Sequence, residues 1–365
     1  MLLKPTVFYF CRLGDMVMLT PALKLLHTRY GRPCQVIGTG TWTGEMYEGH
    51  PDVSDVWSFH RHLPFVLDTP WRSLRRALRE SHPGPIYVCE QHYRQLPRIR
   101  RMLQLSGIDP RRCVYPNDQP LVAPEHLVDR LVRLALRTPD LLRASDYLPP
   151  SLRSIDGPRL HVLAHERRER DDWLKSLDWY GRELILLQPG NHRTMGWRRD
   201  RWRRRNTDDK WWPLERWVKL LGHVHEVREE AVLVLCGSIT EVPMLEQLRA
   251  AAQLPRLGLF SGTLRQLFAL CEAGHSMISV DTGPAHVAGA LGLPIVVLFG
   301  AQPAEYWLPR TRGSAAVGVG GPPRSTRVDQ ISVDEVVTAW HTVIDRRASG
   351  QCVHADALEF GRSPA

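Results

Sequence analysis

Residues 279–300 read SVDTGPAHVAGALGLPIVVLFG. An apolar run, His275–Val280, ends in Asp281-Thr282-Gly283-Pro284-Ala285-His286, small residues follow, and a second apolar run fills Ile295–Phe299. This reads as strand, corner, short helix, strand. Thr282 can cap the helix, Gly283 lets the backbone approach a ligand, and Pro284 suits a first turn. Ala285, Ala288, Gly289 and Ala290 let the helix lie close on a sheet. Such a corner is either a well-made cap in a βαβ unit or a phosphate site, where free N–H groups and the helix dipole act together on an anion.

The same pattern recurs outward along the chain. Apolar runs at Thr6–Cys11, Cys34–Ile37, Ile86–Cys89, Leu184–Gln188 and Val232–Cys236 are candidate strands. Helical spacing lies between several of them, as in Leu19, Ala22, Leu23, Leu26, Tyr30 and in Trp217, Leu220, Leu221, Val224. Continuous apolar strands alternating with amphipathic helices mean parallel sheets covered on both faces, an α/β class. The strands fall into two groups, one before about residue 120 and one after about residue 180, and the boundary is expected near 160–182. Two doubly wound domains facing a cleft are expected, with ligands at the carboxyl ends of strands.

Two more strand ends deserve chemistry on this reading. The first strand runs into Arg12-Leu13-Gly14-Asp15, so Asp15 lies at a strand-to-helix corner, either as a turn or capping residue or as a general base. Leu184–Gln188 runs into Pro189-Gly190-Asn191, and downstream Asn206-Thr207-Asp208-Asp209-Lys210 precedes a helix from about Leu214. Lys210 is either solvated surface or an ammonium placed to neutralise a diphosphate.

Charge narrows the partner. The chain has 365 residues, with 48 Lys+Arg against 39 Asp+Glu, a formal +9, which favours an anionic partner. Eight basic residues lie between Arg193 and Lys210, interleaved with Trp197 and Trp202. This segment can stack on single-stranded nucleic acid or form a flap over an anionic substrate. Hydrophobic residues at 43% and charged residues at 24% exclude general disorder, and no stretch approaches the ~18 apolar residues of a membrane span. Seven scattered cysteines without a CxxC pair argue against a disulfide framework or cysteine zinc site and fit a reducing compartment. GxxxxGK[ST], HExxH, GxSxG and Asp-x-Asp are absent, which argues against P-loop, zinc-protease, esterase and metal-bridged sugar-nucleotide chemistry.

Taken together, RLGDMVMLTPALKLL at 12–26, NTDDKWWPLERW at 206–217 and the 279–300 stretch resemble glycosyltransferase family 9, the bacterial lipopolysaccharide heptosyltransferases. The resemblance implies a GT-B architecture of two Rossmann-like domains, with residues 1–165 binding the acceptor and 182–330 the nucleotide sugar. A C-terminal helix at 333–347 would pack back on the N-terminal domain, and 348–365 would be a flexible tail. The family's base falls on Asp15, supported by Arg12 and Gly14, and its phosphate-contacting lysine on Lys210. Donor contacts fall on Asn191, Thr207, Asp281, Thr282, Gly283 and His286, with Glu241 as a ribose contact. Arg193, Arg198, Arg199 and Arg201 would form an acceptor or phosphate flap, in a segment longer and more arginine-rich than the family pattern.

The implied reaction is inverting transfer of a sugar, heptose by resemblance, from an ADP-sugar to a lipopolysaccharide core or related glycan. ADP-sugar is then a substrate, and no cofactor or metal is expected. The expected partners are an anionic glycolipid or oligosaccharide acceptor and, peripherally, the inner membrane surface, with no nucleic acid and a cytoplasmic location. The alternatives are another GT-B sugar-nucleotide enzyme, with a different donor or acting as an epimerase, and a nucleic-acid-binding module.

Overall fold

The computed structural model describes the chain except residues 1–2, 61–62, 81–83, 91, 93, 117–121, 123, 150–156, 192–207, 312 and 350–365. Contacts divide it into two units, Met1–His161 and Val162–Ala365.

In the first unit, β1 (Thr6–Phe8) feeds α1 (Leu13–Met18) and α2 (Thr20–Tyr30), then β2 (Cys34–Thr39), α3 (Trp42–Met46) and β3 (Val53–Phe59). A 3-10 turn at Phe65–Leu67 leads into α4 (Pro70–Glu80), β4 (Ile86–Val88), α5 (Leu96–Leu105), β5 (Cys113–Val114) and α6 (Leu127–Leu136). The strand order is β3-β2-β1-β4-β5, and every described pairing is parallel. The chain moves outward from β1 to β3, then returns to β4 on the other side of β1. The β1/β4 boundary is therefore the switch point, where adjacent strand-end loops diverge and leave a crevice. Trp71, Leu74 and Leu78 of α4 and Ile99, Met102 and Leu103 of α5 join Phe8, Ile86 and Val88 in one apolar cluster. Arg29, 2% exposed at the end of α2, donates to the carbonyls of Ala135 and Arg137 and to Thr138 Oγ1, and so caps the C-terminal end of α6 with a cation.

The second unit begins with α7 (Ala164–Ser176) and β6 (Leu184–Gln188). It continues through α8 (Leu214–Val227), β7 (Val232–Cys236), α9 (Val242–Ala252), β8 (Leu257–Phe260), α10 (Leu264–Ala273) and β9 (Ser276–Val280). The last elements are α11 (Gly283–Ala290), β10 (Ile295–Phe299), α12 (Ala304–Trp307), β11 (Ala316–Gly320) and α13 (Val333–Ser349). The order β11-β10-β9-β6-β7-β8 is again parallel in every described pairing and places its switch point between β6 and β9. Burial of the central strands is complete, which is why they read as unbroken apolar runs.

The charged stretch at 166–175 is α7, and it is built into the second unit by a bidentate pair between Glu166 and Arg265 of α10, at 2.6 and 2.7 Å. The apolar face of the final helix packs within the second unit. Val336, Ala339, Trp340, Val343 and Ile344 lie in the core of the second unit, where the Trp340 indole donates to Ser276 Oγ at 3.1 Å. That helix runs to Ser349, and the rest of the tail lies outside the described residues.

Candidate active site

Each unit presents a polar corner at its switch point. In the second unit it is built around the pentapeptide Asp208–Trp212, whose geometry follows from the burial of Trp212. That side chain is fully buried, stacks edge-on to Trp217 at 5.0 Å, and donates its indole N–H to the Ile331 carbonyl at 2.9 Å. Burying two large rings with the polar edge of Trp212 satisfied gives the segment a rigid anchor. Upstream, Asp208 is buried; one carboxylate oxygen accepts the Lys210 N–H at 3.1 Å and the other accepts from Asn191 Nδ2 at 3.0 Å. Asp209 accepts from Val328 N–H through its carbonyl at 2.8 Å and from Ala301 N–H through its carboxylate at 3.2 Å.

This scaffold points Lys210 at the carboxyl end of β9. Its Nζ donates to Asp281 Oδ2 at 2.5 Å and to the Asp281 carbonyl at 3.0 Å, a part-buried contact. Asn191, Lys210 and Asp281 thus meet at the β6/β9 switch point, although 90 residues of sequence separate Asn191 from Asp281. His286, on the first turns of α11, is buried beside them. Burial pushes its imidazole down to about 4, the Lys210 charge pushes the same way, and Asp281 opposes both. The ring is neutral at pH 7 and can donate or accept one hydrogen bond without adding charge. Thr282 takes the extended N-cap conformation, but its hydroxyl makes no capping bond; the expected side-chain cap is replaced by its carbonyl, which accepts from Ala285 N–H at 3.1 Å. Thr282 and Gly283 stay half-buried. Glu241 follows β7 and accepts from Ser238 N–H at 2.8 Å and from Ser238 Oγ at 2.9 Å, so this carboxylate closes its own 3-10 turn.

In the first unit, Asp15 lies in the first turn of α1, half-buried, with Oδ2 accepting the Arg12 N–H at 3.1 Å. Gly14 is buried and Arg12 exposed. Sequence reasoning missed Glu90, which follows β4 across the switch point and is 1% exposed. Its Oε2 accepts from Phe10 N–H at 3.0 Å and from Cys11 Sγ at 3.6 Å, while Oε1 accepts from His92 N–H at 2.7 Å. One carboxylate therefore ties the loop leading into α1, and so to Asp15, to the loop after β4. Burial, then the Asp15 and Glu90 charges, pushes the Cys11 thiol far up, so it stays protonated and serves as a donor. No glycine or capping pattern marks Glu90; the only usable signal was its place directly after an apolar run.

Thr207, Arg193, Arg198, Arg199 and Arg201 lie outside the described residues, as do Trp197 and Trp202. Among the described residues no group of three or more His, Cys, Asp or Glu is arranged to hold a metal ion. Among them, too, no helix is long and apolar enough to cross a membrane.

Two parallel, doubly wound units with polar strand-end corners define the GT-B class. The chain aligns over 95% of its length with the Escherichia coli ADP-heptose LPS heptosyltransferase II structure, at a TM-score of 0.70 and 20% identity, covering all of that chain. A family 9 glycosyltransferase from Veillonella parvula gives 0.73 at 15% identity, covering 95% of this chain and 99% of that one. At these identities the likeness establishes the fold. Residues 203–335 match the sequence profile of glycosyltransferase family 9 (heptosyltransferase). Lipopolysaccharide heptosyltransferase 3 of Escherichia coli is 28% identical over 102 residues, which is 27% of this chain and 30% of that protein.

Proposed function

We propose that the protein is an inverting glycosyltransferase that moves a sugar, heptose in our reading, from an ADP-sugar to a lipopolysaccharide core or related anionic glycan. The observation that carries this reading is the Lys210–Asp281 contact at the β6/β9 switch point, inside the region that matches the family. The name of the structural neighbour heptosyltransferase II supports the choice of ADP-heptose. In this reading, Asp15 removes the proton from an acceptor hydroxyl, whose oxygen attacks the anomeric carbon on the face opposite the departing ADP. The C–O bond to the diphosphate breaks with inversion, and the proton rests on Asp15. Charge growing on the leaving diphosphate is met by the Lys210 ammonium and by the N–H groups opening α11, donors already in position before the reaction. Asn191, Thr282, Gly283 and neutral His286 would line the donor, Glu241 would reach the ribose, and Arg12 and Gly14 would shape the acceptor loop. The protein would act at the cytoplasmic face of the inner membrane without a resident cofactor or metal.

ADP-heptose, UDP-sugars and GDP-sugars in a thermal-shift panel test the donor: only the adenine nucleotide should raise the melting temperature. With a deacylated core acceptor, wild-type protein should release ADP at an unchanged rate in EDTA. Asp15→Asn should lower that rate at least ~100-fold with little change in donor affinity, and Lys210→Ala should lower it by a similar factor. Undiminished ADP release by Asp15→Asn would remove the proposed base.

A further inference from the structure

We propose that α4, α5 and the apolar turn before α4 form a docking surface for an anionic phospholipid bilayer. Between them the two helices carry seven arginines and one glutamate. Their apolar positions are already used: Trp71, Leu74 and Leu78 of α4 and Ile99, Met102 and Leu103 of α5 all point into the core. Arg72, Arg76 and Arg79 on α4, Arg100 and Arg101 on α5, and Arg94 just ahead of α5 are exposed. The two basic stripes share one surface because α4 is laced to the end of α5. Arg75 Nε donates to the Leu105 carbonyl at 3.0 Å, and Arg79 donates to the carbonyls of Leu105 and Ser106 at 3.3 and 3.4 Å.

The second observation is apolar. Leu63, Val66 and Leu67 are exposed by 39%, 52% and 72%. They are fixed beside the arginines: Arg98 of α5 donates to the Leu63 carbonyl at 3.0 Å, and Phe65 packs edge-on against Trp71 at 4.8 Å. The local acid, Asp68, is turned inward, where it is 3% exposed and accepts from His60 N–H at 2.6 Å. Protruding aliphatic side chains rimmed by arginines match the chemistry of a bilayer surface, in which the rings of charge meet phosphate headgroups and the aliphatic tips enter the acyl boundary. A polyanion such as nucleic acid offers nothing for the aliphatic tips to enter, and this favours the lipid surface.

This surface rests on the proposed function for the membrane at which the protein acts, but it contains none of the residues assigned to transfer chemistry, so failure to bind vesicles and failure to release ADP are separate outcomes. Full-length protein is sedimented with phosphatidylglycerol-containing vesicles and with pure phosphatidylcholine vesicles. Binding should require the anionic lipid and weaken with salt. The triple replacement Arg72→Gln, Arg76→Gln, Arg101→Gln should weaken it at least ~10-fold, whereas the same three changes to Lys should preserve it. Val66→Ser with Leu67→Ser should remove the salt-resistant part of binding. Circular dichroism and the melting temperature report whether each variant is folded. A single-stranded oligonucleotide is titrated in parallel, and three results would overturn the proposal: wild-type protein that ignores anionic vesicles, glutamine variants that bind them as wild type does, or glutamine variants that lose only the oligonucleotide.

Discussion

Gly300 lacks a side chain at a point where one would collide with Asp209: a Cβ there would come within 2.2 Å of the Asp209 carbonyl oxygen. The contact has a positional purpose, because the next residue is Lys210 and the neighbouring Ala301 N–H binds the Asp209 carboxylate. Gly300→Ala should force the 208–212 segment off the sheet, lowering stability by about 1–3 kcal/mol. It should weaken ADP-nucleotide binding further than that loss explains. Denaturant melts and nucleotide titration of the same variant separate the two, and unchanged nucleotide affinity would show that Lys210 does not depend on this contact. Lys210, Asp281 and His286 were legible because each stands in a short motif with glycine, proline or tryptophan punctuation. Glu90 was illegible because its importance comes from the Phe10 and His92 amides, which no local pattern announces.

At the scale of elements, the strands read from sequence are the interior ones. Four went unread: β3, β5, β8 and β11, which are the four edges of the two sheets. Interior strands in parallel sheets are apolar throughout, whereas β3 is largely half-buried or exposed, β5 has two residues, and β11 is Ala316-Val317-Gly318-Val319-Gly320. The corner after β1 also differs from a single helix start. Two helices meet at Leu19, and Asp15 belongs to the first turn of the shorter one. The α7–α10 connection carries its own prediction. Glu166 and Arg265 are only 7% and 10% exposed at their side chains, so removing one partner strands a desolvated charge. Arg265→Met should destabilise the second unit by about 3 kcal/mol, and adding Glu166→Leu should recover much of that loss. A double-mutant cycle by urea unfolding measures the coupling, and additive losses would argue that the pair is mutually indifferent.

For the whole molecule, acid sensitivity is built into both units. His286 in the second unit is held neutral down to about 4, and burial, reinforced by His161 and opposed by Asp52, likewise lowers His50 in the first. An unfolded chain binds a proton on each near pH 6.5, so stability should fall as pH drops from about 6.5 towards 4 and level off below that for these groups. For His286 the loss amounts to about 3 kcal/mol across the window. Replacing His286 by Asn should flatten the difference between melts at pH 7 and pH 4.5, and an unchanged slope would assign the sensitivity elsewhere. The amino-acid sequence by itself determined the α/β class, the central strands and the corners where Asp15, Lys210 and Asp281 stand, because apolar runs and glycine or proline breaks are local signals. Only the tertiary structure decided which corners meet. Strand order is not chain order, so β6 lies beside β9 and β1 beside β4. Those two adjacencies bring Asn191 and Lys210 to Asp281 and bring Glu90 to the Asp15 loop.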